Sequence, residues 1–273
     1  MNTKNSIALH LAVILVASVA QARDIDITAN DGGLHPQQYA NDPRPGVQEV
    51  GYVSPASIAD NSWDLKLVGY NPTTHTVSIV GGFNFLTGNG LYAMGDLFFK
   101  TGGGVLPHPS RPAPVDGAFN YPNPGFNYAV HFTSVAGSTL LYDVYALSPA
   151  SVVKTVLFAA NAEADPFALV PDSQSTLLES GVANVTGGLT SAVVDAAFNT
   201  DIGNTGDNFQ LQANLGFLAG KDFSLFCTYE CGNDALKGQY IAAAVPVPEV
   251  GTWAAAVGLL VVAGFSARRL VSK

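Results

Sequence analysis

The chain has 273 residues, a net charge of -9 and only 12% charged side chains, against roughly 25% in ordinary globular proteins. That balance excludes a phosphate-neutralising surface, so nucleic acid is not an expected partner. Once both ends are set aside, the remaining length supports one domain with a full apolar core.

Lys4 opens the chain, and Ile7 to Val19 is apolar apart from His10 and Ser18. Ala20-Gln21-Ala22 follows, with small residues at the positions a signal peptidase reads. Residues 1–22 therefore read as a secretory signal peptide cleaved after Ala22, too short in its apolar part for a standard membrane span. Export places the remainder in an oxidising compartment.

The body, 23–240, shows a period of two. Trp63, Leu65 and Leu67 alternate with Asp64, Lys66 and Val68. Asn71-Pro72-Thr73-Thr74 is a turn signal, and Thr76 to Ile79 alternates again, which predicts a hairpin. Strands are further expected at Leu91 to Phe99, Tyr128 to Phe132, Leu140 to Leu147, Ser151 to Phe158, Gly181 to Val185 and Phe223 to Tyr229. In Asn208 to Leu218, Phe209, Leu211, Ala213, Leu215 and Phe217 fall on one face, and Gln210, Gln212, Asn214 and Gly216 on the other. Leu189 to Phe198 is the one short helix expected. Gly102 to Gly125 reads as a long Gly/Pro loop, and Gly232 to Pro248 as a tether, with 241–251 an exposed linker that carries the Pro-Glu dipeptide. Many short strands with antiparallel signals predict an all-β antiparallel sandwich or jelly roll.

Cys227 and Cys231 are the two cysteines. A straight strand would hold them more than ~13 Å apart, beyond the ~7 Å that a disulfide tolerates between Cα atoms, so a bridge requires a bend at Tyr229-Glu230. A structural disulfide is the favoured reading and two thiols the alternative. Two thiols without a neighbouring His are too few ligands for zinc, and no metal or cofactor is expected.

Catalytic signals are sparse. His10, His35, His75, His108 and His131 show no i, i+4 pairing, and there is no Gly-x-Ser-x-Gly elbow. His131, alone in a strand, reads as a hydrogen-bonded structural residue. The Asp/Asn/Gly loops at Asn30 to Gly33, Asp60 to Asp64 and Asp201 to Asn208 suit either Ca²⁺ or plain turns. Asp96, Asp143, Asp165 and Asp195 could only form a glycosidase pair if folding set them ~5–9.5 Å apart. Tyr39, Tyr52, Tyr121, Phe126 and Tyr128 lie in or beside loops, where a ring either stacks on sugar or packs inward. The expectation is a protein that is not an enzyme.

After the linker, Thr252 to Ala267 carries no charge and Arg268, Arg269 and Lys273 follow. Residues 252–273 thus predict a single C-terminal transmembrane helix with its basic tail in the cytoplasm and the body on the other side. Val247-Pro248-Glu249, the apolar segment with Gly258-Leu259-Leu260, and Arg268-Arg269 together resemble the PEP-CTERM sorting signal of Gram-negative bacteria. The resemblance covers about the last 28 residues, and Val250 stands where that family most often has a second Pro. The segment Phe223 to Asp234, with Cys231-Gly232-Asn233-Asp234, is similar to the stretch that closes the extracellular domain in many such proteins. Ser78 to Phe85, Gly95 to Phe99 and Tyr142 to Val144 are similar to a family of exosortase-dependent surface proteins.

The resemblance implies a non-catalytic exported surface or matrix protein. An exosortase-like membrane transpeptidase would recognise Pro248, Glu249 and Val250, with Arg268 and Arg269 orienting the tail. The inner membrane would be a transient partner, and exopolysaccharide or biofilm the setting. The alternative is a secreted carbohydrate- or Ca²⁺-binding protein, itself carbohydrate-active in one form of that reading, with the same sorting signal.

Overall fold

A computed structural model describes residues 24–28, 65–82, 84–88, 93–103, 106, 117–157, 165–199, 207–229 and 235–242. The chain divides into two compact units after Tyr240, and all the described strands belong to the first. In chain order they are β1 (Ile25–Asp26), β2 (Leu65–Asn71), β3 (Thr76–Gly81), β4 (Met94–Thr101), β5 (Gly117–Pro122), β6 (Tyr128–Ala136), β7 (Thr139–Leu147), β8 (Val152–Leu157), β9 (Asp165–Val170), β10 (Ser175–Leu189), β11 (Asn208–Asn214), β12 (Phe223–Tyr229) and β13 (Ala235–Tyr240). One helix, α1 (Ser191–Phe198), and a 3-10 turn at Gly216–Leu218 complete the described elements.

The protein is all-β, and every strand pair is antiparallel. Ten strands form one sheet in the order β1-β2-β3-β11-β10-β7-β6-β4-β12-β13, and β5-β8-β9 form a second. The large sheet curls until its ends meet. Thr28 bridges Gly238, and the Gln239 N–H donates to the Ile27 carbonyl at 2.8 Å. Strand twist supplies part of the curl and bulges the rest. An extra residue, Lys66, interrupts the β2–β3 register, Thr133 that of β6–β7, and Leu178 that of β10–β7.

The concave face of the curl is filled by apolar side chains from nearly every strand, among them Val68, Tyr70, Ile79, Leu97, Phe99, Val144, Leu211, Phe223 and Leu225. The convex face is covered in two places. Phe98, Phe126, Ala129 and Phe226 pack against Val153 and Leu169 of the small sheet. Leu67 and Val80 pack under Val194 and Phe198 of α1.

The expected hairpin is present, with β2 and β3 joined through residues 72–75. Its expected facing is not. The bulge at Lys66 sends Leu65 and Val68 into the concave core and Leu67 to the α1 side, so strict alternation fails there. β11 does alternate as its sequence predicts: Leu211 and Ala213 are buried, while Gln210 and Gln212 are half-buried and Asn214 is exposed. The strand ends at Asn214, but the inward set runs on: Leu215 is buried in the same core, and Phe217, in the 3-10 turn, packs against it. Two expected loops contain strands. β5 lies within the Gly/Pro-rich stretch, and β13 occupies the first half of the expected tether, with Leu236 fully buried. Among the described residues no helix is long and apolar enough to cross a membrane. The signal peptide and the apolar segment at 252–273 lie outside the described residues.

Candidate functional site

A polar row crosses four neighbouring strands on the convex face. Asp96 is on β4, His131 on β6, Asp143 on β7 and Ser180 on β10. His131 stands opposite Asp143, and Asp143 opposite Ser180. The His131 Nδ1 and Asp96 Oδ2 are 2.8 Å apart, and the Ser180 hydroxyl donates to Asp143 Oδ1 at 2.5 Å.

Asp96 reaches this position because of a bulge. Leu97 pairs with Cys227 and Met94 with Tyr229, so Gly95 and Asp96 together oppose the single residue Thr228. The bulge re-aims the carboxylate toward the small sheet. There Oδ2 accepts the backbone N–H of Leu169 at 2.6 Å, while Oδ1 accepts that of Phe132 at 3.0 Å. Asp96 is 3% exposed, and a carboxylate so buried persists only when hydrogen-bonded and paired. Gly95 is required beside it, since a Cβ there would sit 2.4 Å from the Thr228 carbonyl oxygen and 2.6 Å from that of Phe167.

The His131 side chain is 23% exposed, open enough to exchange protons with solvent. Burial, the largest influence, lowers its pKa. The hydrogen bond and charge of Asp96 and the charge of Asp143 raise it, Lys154 lowers it, and the balance lies above the ordinary histidine value. Burial, and then the charge and hydrogen bond of Asp143, push the Tyr145 hydroxyl up as well. This arrangement favours an imidazolium held between carboxylates.

The other residues singled out in the sequence are scattered. His75 sits in the β2–β3 turn with φ 57° and lies 3.3 Å from the Tyr70 hydroxyl. Phe126 is buried between Phe98 and Phe226. Tyr128 packs on Phe217 with the Lys221 ammonium 5.1 Å from its ring centre. Tyr121 packs against the cluster between the sheets. These three rings are used for packing. Cys227 lies within the concave core, its Sγ 3.7 Å from the Leu236 carbonyl oxygen. Cys231, Pro248, Glu249, Val250, Arg268, Arg269, His35, His108, Tyr39 and Tyr52 lie outside the described residues, as do the loops at Asn30 to Gly33 and Asp60 to Asp64. No group of three His, Cys, Asp or Glu able to hold a metal ion occurs among the described residues.

Sequence reasoning named Asp96, Asp143 and His131 separately but missed that they form one row with Ser180. Cross-strand register creates that row, and register is not written locally in any one strand. The chain matches no family model, no curated protein and no solved structure.

Proposed function

We propose that this is an exported, non-catalytic surface or matrix protein, delivered through an exosortase-like sorting system and associated with extracellular polysaccharide. The carrying observation is the order of features in the last 28 residues: Pro248-Glu249, an uncharged apolar run from Thr252 to Ala267, then Arg268-Arg269. In this reading the apolar run is a transient anchor in the inner membrane. Pro248 fixes the backbone before the processing point, and Glu249 offers a charge to the transpeptidase. The curled sheet is the cargo, with β5-β8-β9 stacked face to face on β4, β6 and β12 as the sandwich-like part of the domain.

The test is fractionation with mass analysis of the mature chain in hosts with and without the exosortase. The expected result is release without the tail when the enzyme is present, and full-length protein retained in the membrane when it is absent. Identical mass and location in both hosts would remove the proposal.

A binding role is the second reading, and the polar row favours it. Asp143, Ser180 and the Tyr145 hydroxyl lie on one face of β7 and β10, where sugar hydroxyls would find both donors and acceptors. Loss of polysaccharide retention in Asp143→Ala, with folding unchanged, would support that reading over a purely architectural one.

A further inference from the structure

Lys66 and Asn208 form a buried pair with a reactive geometry. Lys66 is 1% exposed and Asn208 0%. The Lys66 Nζ stands 2.6 Å from Asn208 Oδ1, across 142 residues of sequence. The C=O bond is about 1.2 Å long, so the Asn208 carbonyl carbon lies within about 3.8 Å of the amine. Productive attack begins at roughly 3–3.5 Å, a shift of less than an ångström.

Both partners are held. Lys66 is the bulge residue of β2, which turns it out of the strand's alternation. Asn208 begins β11, and its Nδ2 donates to the Leu189 carbonyl at 3.1 Å. That bond fixes the amide's orientation, with oxygen toward the amine and nitrogen away from it. β3 separates the two strands in the sheet, so the pair spans a strand that it does not belong to.

The geometry points to an intramolecular isopeptide bond between Lys66 and Asn208. The neutral amine of Lys66 attacks the side-chain carbonyl carbon of Asn208. A new C–N bond forms, and the bond from that carbon to Nδ2 breaks. Nδ2 leaves as ammonia, taking one amine proton, and the other stays on the new amide. Atoms balance without an oxidant or co-reactant. From the buried ammonium the balance also holds, the extra proton departing with the leaving nitrogen as ammonium, and the product is a neutral amide N–H in place of a costly buried charge. The inference does not depend on how the protein is sorted.

The test is a peptide map of the full, exported wild-type chain after denaturation and proteolysis. The expected result is one branched peptide joining the Lys66 and Asn208 segments, lighter than their sum by one ammonia, with the two separate peptides lost. Lys66→Met should abolish the branched species. Separate, unmodified peptides in the wild type would overturn the inference and leave a hydrogen bond only. Ammonia loss with the peptides still separate, as from a succinimide at Asn89-Gly90, would overturn it equally. The wild-type map decides the matter even if the variant fails to fold.

Discussion

The carboxylate of Asp96 on β4 accepts the backbone N–H of Leu169 on β9 at 2.6 Å, a hydrogen bond that ties the small sheet to the large one. Its other oxygen closes the end of the β4–β6 ladder through the Phe132 N–H. Asp96→Asn can satisfy only part of this set, because an amide nitrogen facing either N–H leaves that donor buried and unpaired. Each such group costs about 1–3 kcal/mol. Asp96→Asn is therefore expected to lower stability by about 1–3 kcal/mol in denaturant titration, and Asp96→Leu, which leaves both donors unpaired, by more.

Gly95 and Gly238 should rank differently. A Cβ at Gly95 meets two backbone carbonyl oxygens, at 2.4 and 2.6 Å, which cannot turn aside. At Gly238 it meets Val68, Cγ1 at 2.9 Å and Cβ at 3.1 Å, a buried β-branched side chain with little freedom to turn but a smaller overlap than at Gly95. Overpacking costs about 1–3 kcal/mol. Gly95→Ala is expected at or above the top of that range and Gly238→Ala within it, as read from thermal melts.

Phe198 of α1 lies directly on Gly69 of β2, where an added Cβ would come within 2.2 Å of the ring. Truncating a buried Phe costs about 3–5 kcal/mol, and Phe198→Ala is expected in that range. Gly69→Ala alone displaces the ring, but after Phe198→Ala it meets empty space. The double variant should then be more stable than the two single losses added together. Additive losses would show that α1 does not pack as described.

The His131 pKa is raised in the folded protein. Its stabilising contribution is therefore complete below the unfolded value of about 6.5 and fades as pH rises through the higher folded value. Denaturation midpoints should fall over that window in the wild type and stay flat across it in His131→Gln. An imidazole titrating below 6.5 by NMR would contradict the assignment.

Much of the sheet was legible because several strands carry their own pattern. β11 alternates, and β12 was bounded correctly at Phe223–Tyr229. Other elements depend on partners far away in sequence. β13 reads as linker because its Ala, Lys and Gly are poor strand formers, yet Thr28 and β12 supply its hydrogen bonds. β5 hides in a proline-rich stretch and is recruited as an edge by β8. Lys66 reads as a wetted lysine until the bulge turns it inward. The polar row needed the register of four strands.

The seam at Thr28 and Gly238 makes the first described residues part of the wall. Trimming the chain past Thr28 would take away both β1 and the bridge, and bare the outer edges of β2 and β13 together. Exposed strand edges recruit other chains. Removing the chain through Thr28 is thus expected to turn a closed sheet into one that associates through its edges, which size-exclusion chromatography would detect.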